Sequence, residues 1–181
     1  RRFHCLQDAC SLRMSDVGYQ SRLQQNINVN YNSLSKYVDS IIGAINMPND
    51  VFSKIRELDN DGYPQQISSG TLQIENELYD VIRPKRRGES GERPANLLKN
   101  HGIEYVEFRG LDINPFEITG ISKAQIHVLD IFLMYCLIAP SPKISSEEAE
   151  IISENSMVAI EKGRNKNAEI CFEGKIHKIA D

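Results

Sequence analysis

The chain has 181 residues, 40% of them hydrophobic, which suits one ordinary core or part of a larger domain. Its 21 basic residues are set against 25 acidic ones, and a net charge of −4 argues against a dedicated nucleic-acid binder. The best apolar run, residues 131–139, is about half the length a bilayer requires, so no membrane span is expected.

The chain opens on Arg1 rather than Met, with no signal peptide after it, and is expected to be a segment of a longer protein. His4, Cys5 and Cys10 lie close together, but their spacing fits no common zinc pattern. With Cys136 and Cys171 they form no CxxC pair, as expected of a reduced, cytoplasmic protein. A first helix is predicted from Asn32 or Ser33, with Leu34, Tyr37, Val38, Ile41, Ile42 and Ile45 at helical spacing before Pro48 stops it. Residues 59–62 (DNDG) read as a turn.

Residues 71–79 (TLQIENELY) alternate, and a strand is preferred over an amphipathic helical turn. The strand puts Leu72, Ile74, Asn76 and Leu78 on one face and Gln73, Glu75, Glu77 and Tyr79 on the other. Residues 84–94 read as a charged loop rich in glycine and proline, whose basic run is by default solvated. A second helix opens on the capping-box pair Ser122 and Gln125 and runs to Pro140. Its late turns are apolar almost all round, which predicts burial on more than one side. Ser145 and Glu148 begin a third helix, which Lys162-Gly163 ends. Helices and strands interleave irregularly, giving an α+β class.

The most informative stretch is 103–116, IEYVEFRGLDINPF. A strand there points Val106 and Phe108 into a core and puts Tyr105, Glu107 and Arg109 on the opposite face, successive members about 7 Å apart. A carboxylate and a guanidinium on one rigid face suit a metal-bound phosphate, one holding the cation and the other the anion. A surface strand that these two residues merely solvate is the competing reading.

Four stretches then occur in order: Ser11-Leu12-Arg13-Met14-Ser15-Asp16-Val17-Gly18-Tyr19, 72–79 (LQIENELY), 82–86 (IRPKR) and 103–116. Together they closely resemble the glutamate–cysteine ligases of the proteobacterial type, which catalyse the first step of glutathione biosynthesis. The likeness runs from about Ser11 to Lys162 and fades in the tails 1–7 and 165–181. Phe108 and Gly110 depart from the commoner residues of the strand motif.

The resemblance implies a fold related to glutamine synthetase, with a curved antiparallel sheet around the active site and packed helices. It implies ATP-dependent joining of the L-glutamate γ-carboxylate to the amine of L-cysteine through a γ-glutamyl phosphate, with Mg2+. Glu107 resembles the family's magnesium ligand, and Arg109 the arginine on the transferring phosphate. Arg13 resembles the arginine that holds a substrate carboxylate, and Tyr19 and Tyr79 resemble tyrosines lining the amino-acid acceptor pocket. Glu75, Asn76 and Glu77 fall inside a matching motif. They are candidates for a second metal or a nucleotide hydroxyl, or for ordering Arg13 or Arg83. Residues 112–116 are expected to fix the strand's exit.

Residues 1–181 then form a partial catalytic domain. Upstream metal and nucleotide residues lie outside it, so it is expected to need the rest of its own chain and to be inactive alone. Two rivals are a sister ligase joining glutamate to another amine, and a non-catalytic interaction domain using the basic loop 85–87.

Overall fold

A computed structural model describes residues 6–19, 21–24, 27–55 and 57–180. His4 and Cys5 lie outside the described residues. The chain divides into one unit of Tyr19–Gly110 and a second made of Arg1–Gly18 with Leu111–Asp181.

In the Tyr19–Gly110 unit, helix α1 (Leu34–Asn46) starts where Ser33 accepts the Lys36 amide at 3.2 Å, meeting one of the donors a helix start leaves open. Tyr37, Val38 and Ile41, read from the sequence, form its buried stripe together with Ala44, and Leu34, Ile42 and Ile45 pack partly buried beside them. A returning segment satisfies its last carbonyls. The Thr71 amide donates to Met47 O at 2.8 Å and the Leu72 amide to Ala44 O at 3.2 Å. Leu72 thereby enters the core beside Leu78 and, from helix α2 (Pro94–His101), Ala95 and Leu98.

Residues 71–79 are not the strand that their alternation predicts. They pass through one 3-10 turn, Glu75–Glu77, with Leu72 and Leu78 buried on either side of it. Ile74 is 39% exposed, whereas Glu75 is buried. A strand needs a neighbouring backbone, and a side chain takes that place here. Gln24 Nε2 donates to Glu77 O at 2.7 Å, and its Oε1 accepts the Tyr79 amide at 2.9 Å.

Strands β1 (Ile82–Lys85) and β2 (Tyr105–Phe108) pair antiparallel, with Arg83 opposite Glu107 and Lys85 opposite Tyr105. The Glu104 amide to Lys85 O (2.9 Å) and the Arg109 amide to Val81 O (2.7 Å) lengthen the ladder at both ends. Among the described residues β1 pairs with β2 alone, so an edge position is open to Pro84 in β1. The expected loop 84–94 is therefore strand at one end, and its last residue, Pro94, opens α2 in the position that suits proline. The face expected to sink Val106 and Phe108 into a core is only half covered, and Val106 is 53% exposed.

In the other unit, α3 (Lys123–Ile138) carries the full reciprocal capping box of Ser122 and Gln125. The predicted burial of α3 does not occur, since Ile131, Leu137 and Ile138 are all more than two-thirds exposed. An apolar periphery states what a helix would bury, and the described residues bring nothing over most of this one. Helix α4 (Ser146–Lys162) begins at Ser145, whose hydroxyl accepts the Glu148 amide. A hairpin of β3 (Glu169–Phe172) and β4 (Lys175–Lys178) follows, turning through Glu173 and Gly174, both at positive φ. The Asn155 side chain on α4 pairs with both backbone groups of Cys171, at 2.6 and 2.9 Å. Helices with small antiparallel ladders bear out the α+β class. Among the described residues no helix is long and apolar enough to cross a membrane.

Candidate active site

The β1–β2 register fixes the site in the Tyr19–Gly110 unit. Alternation sends Arg83 and Lys85 from β1 to the same face as Tyr105, Glu107 and Arg109. The Glu107 carboxylate lies between two cations, with Arg109 Nε 3.7 Å from Oε1 and Lys85 Nζ 3.9 Å from Oε2. Lys85 Nζ also lies 3.5 Å from Asn76 Oδ1. Burial, opposed by Glu107 but reinforced by the charges of Arg83 and Arg109, holds the lysine below its ordinary pKa.

The Arg109 guanidinium lies over the Tyr19 ring, 4.8 Å from its centroid, and its Nη2 donates to the Tyr19 hydroxyl. Tyr19 packs against Tyr79 with centroids 4.3 Å apart. Five residues singled out from the sequence, Tyr19, Asn76, Tyr79, Glu107 and Arg109, thus form one connected group. Lys85 belongs to it as well, although the sequence reading left it in a solvated loop. Its signal was the i, i+2 pairing of Arg83 and Lys85 across Pro84.

The two glutamates of the 3-10 turn serve their own loop. Glu75 is buried and accepts Arg93 Nε at 2.9 Å, while Glu77 accepts the Gln73 amide at 2.8 Å. The carbonyls of Glu75 and Asn76 accept Arg83 Nη2 and Nη1 at 3.0 and 3.2 Å. The turn's backbone carbonyls, rather than its side chains, therefore hold Arg83. Gln24 and Arg93 went unnoticed, because a residue that braces a backbone leaves no periodic trace in sequence.

Arg13 belongs to the other unit, where Asp112 anchors its loop. Asp112 Oδ1 accepts the Leu12 amide at 3.1 Å and the Arg13 amide at 2.7 Å, and Ser11 Oγ accepts the Met14 amide. Gly18 closes the loop so tightly that an added Cβ would fall 2.1 Å from Leu12 O. Asp112 thus does more than fix a strand exit. Desolvation pushes its carboxyl pKa up, but the Ser11 hydroxyl, the Arg13 and Leu12 amides and the Arg13 charge outweigh it, and the pKa is lowered overall.

A depressed carboxyl stabilises the loop above its unfolded pKa, and that contribution disappears as pH falls through the folded value. Protection of the Leu12 and Arg13 amides, relative to the intrinsic exchange rate at each pH, is therefore expected to fall below about pH 4, and Asp112→Asn should abolish that pH step. At neutral pH, Asp112→Ala should cost about 1 kcal/mol after allowance for solvent screening, about a fivefold rise in exchange.

Magnesium asks for about six oxygen ligands. Among the described residues no three His, Cys, Asp or Glu side chains gather into a metal site. The neighbours of Glu107 are cations, so these residues do not make a magnesium site by themselves.

A model of the glutamate–cysteine ligase family matches residues 1–158. The chain belongs to the glutamate–cysteine ligase family. The match takes in the tail 1–7, which the motif resemblance does not cover, and ends within α4. The glutamate–cysteine ligase of Hahella chejuensis is 46% identical over 165 residues, 91% of this chain and 31% of that protein. The enzyme of Shewanella oneidensis is 44% identical over 162 residues, again 31% of its length. Among solved structures, glutamate–cysteine ligase from Francisella tularensis in complex with AMP superposes with a TM-score of 0.86 at 35% identity. That match covers 96% of this chain and 35% of the Francisella chain. The chain spans about a third of the length of these ligases.

Proposed function

We propose that residues 1–181 are part of the catalytic domain of a cytoplasmic, ATP-dependent glutamate–cysteine ligase, the enzyme of the first step of glutathione biosynthesis. The domain is read as glutamine-synthetase-like, with β1–β2 contributing to a longer curved sheet. In the reaction a γ-carboxylate oxygen of glutamate attacks the terminal phosphorus of ATP and ADP leaves. The cysteine amine then attacks the acyl carbon, expelling phosphate and losing a proton. Phosphoryl transfer asks the protein for positioning and charge neutralisation rather than covalent chemistry.

The observation that carries this reading is the linked group Tyr79–Tyr19–Arg109–Glu107, which joins an aromatic wall to a guanidinium and a carboxylate on one strand face. Arg109 takes the transferring phosphoryl group, whose oxygens its fork matches. Tyr19 and Tyr79 wall the acceptor amino acid, and Tyr19 orients Arg109 as well. Arg13, on its Asp112-anchored loop, binds a substrate carboxylate. Glu107 would hold Mg2+ by one carboxylate, the remaining ligands coming from outside these residues. Glu75, Asn76 and Glu77 act mainly through the turn that holds Arg83 and faces Lys85. The isolated span, lacking a complete metal site, is expected to be inactive.

The test is ADP release by a full-length polypeptide carrying this sequence, with ATP, magnesium and glutamate, with and without cysteine, beside Glu107→Gln. Cysteine-dependent release that falls about a hundredfold or more in the variant is expected. Release answering to a different amine would make it a sister ligase. No release with any amine would leave a binding module.

A further inference from the structure

The basic run 83–87 has no place in the chemistry above, and the fold separates its members. Arg83 is buried and committed to the carbonyls of Glu75 and Asn76. Arg86 Nη1 donates to His101 O at 2.7 Å, bracing the end of α2. Arg87 is 83% exposed, with Nε 3.8 Å from Glu104. Lys85 instead turns onto the Glu107 face, its side chain only 23% exposed.

Lys85 and Arg109 each approach a different oxygen of the Glu107 carboxylate. Their separations of 3.9 and 3.7 Å exceed the roughly 2.7–2.9 Å of a direct charge-assisted bond. Glu107 is one carboxylate set against the two cations, and Arg83, two residues before Lys85, stands on the same strand face. Two partly shielded cations held by strand backbones, loosely engaged with their common counter-ion, are preorganised for a polyvalent anion.

We propose that Lys85 and Arg109 form a two-pronged cradle for a phosphoryl group, with Lys85 as the second cation. The group is either the polyphosphate of a nucleotide or the phosphoryl once it sits on the substrate carboxylate. The assignment deepens the ligase reading and rests on it only for the identity of the phosphate donor. Asn76 positions the ammonium, which gives this turn residue a part in the site without contact to substrate.

The experiment uses a full-length polypeptide carrying this sequence. ADP and adenosine binding are measured by titration calorimetry, beside cysteine-dependent turnover, for Lys85→Met, Lys85→Arg and the control Arg86→Ala. If Lys85 holds the nucleotide, Lys85→Met weakens ADP about tenfold or more while adenosine affinity stays constant. If it holds only the transferred group, ADP affinity stays and kcat falls by a similar factor at unchanged KM for ATP. Lys85→Arg keeps most of either function, and Arg86→Ala changes neither. Should Lys85→Met not fold, Lys85→Gln carries the same comparison with a side chain that still reaches Asn76. ADP affinity and kcat both within twofold of the parent would overturn the cradle, as would an equal loss of adenosine binding. Because ADP binding needs no amine, the cradle is tested even if cysteine proves the wrong acceptor.

Discussion

Replacing Arg109 with lysine is expected to lower kcat for cysteine-dependent ADP release by about 10²–10³-fold in a full-length polypeptide carrying this span. The substitution keeps the positive charge, so a role in bulk charge balance would survive it. It removes the planar fork that meets two phosphate oxygens at once and the flat group that lies over the Tyr19 ring, 4.8 Å from its centroid. Arg109 is held through its amide on Val81 O, its Nε near Glu107 and its Nη2 on the Tyr19 hydroxyl, among other contacts. A lysine reaches at most one of the two side-chain partners at a time. Tyr19→Phe keeps the ring and loses only the hydroxyl, so its effect on kcat should be about tenfold or less. Steady-state kinetics on both variants read the difference. If Arg109→Lys retained nearly full kcat, Arg109 would be a charge on the strand and not the group that meets the phosphoryl.

How much of this was legible in sequence follows from how local each signal is. Caps were legible because donor and acceptor stand three residues apart; Ser33, Ser122 with Gln125, and Ser145 all sit where expected. The common face of Glu107 and Arg109 was legible because strand alternation fixes it whatever surrounds the strand. Burial was not legible. Val106 and the late turns of α3 are apolar yet exposed, since composition says what a segment prefers to cover and not whether a partner is present. Four-residue strands such as β1 and the hairpin β3–β4 carry too little pattern to stand out, and Pro84 disguised the first of them. The bracing of Arg83 by two carbonyls and of residues 77 and 79 by Gln24 is tertiary throughout. Family resemblance singled out Tyr19, Tyr79, Glu107 and Arg109, which the fold links side by side, because it carries such tertiary information where spacing does not.

The segment 71–79 offers the sharpest test of that distinction, and Leu72→Ala is expected to destabilise the Tyr19–Gly110 unit by about 2–5 kcal/mol. Leu72 is fully buried between the end of α1 and the cluster that includes Leu78, Ala95 and Leu98, where a truncated side chain leaves a cavity. The alternation read from sequence puts Leu72 and Ile74 on one buried face, which predicts similar losses at both. The 3-10 turn instead leaves Ile74 39% exposed, so Ile74→Ala should cost about 1 kcal/mol or less. Urea unfolding of the two variants, with amide exchange in α1 as the local probe, separates the cases, and equal losses would restore the strand. The consequence reaches the site through covalent chain. Leu72 and Leu78 pin both ends of the turn whose carbonyls hold Arg83, and Arg83 shares its strand face with Lys85. Leu72→Ala should therefore raise the amide exchange of Glu77 and Tyr79 along with that of α1, whereas damage confined to the helix would leave those two amides protected. Core packing and the Arg83–Lys85 strand face then depend on one short turn, the element that the sequence pattern described least well.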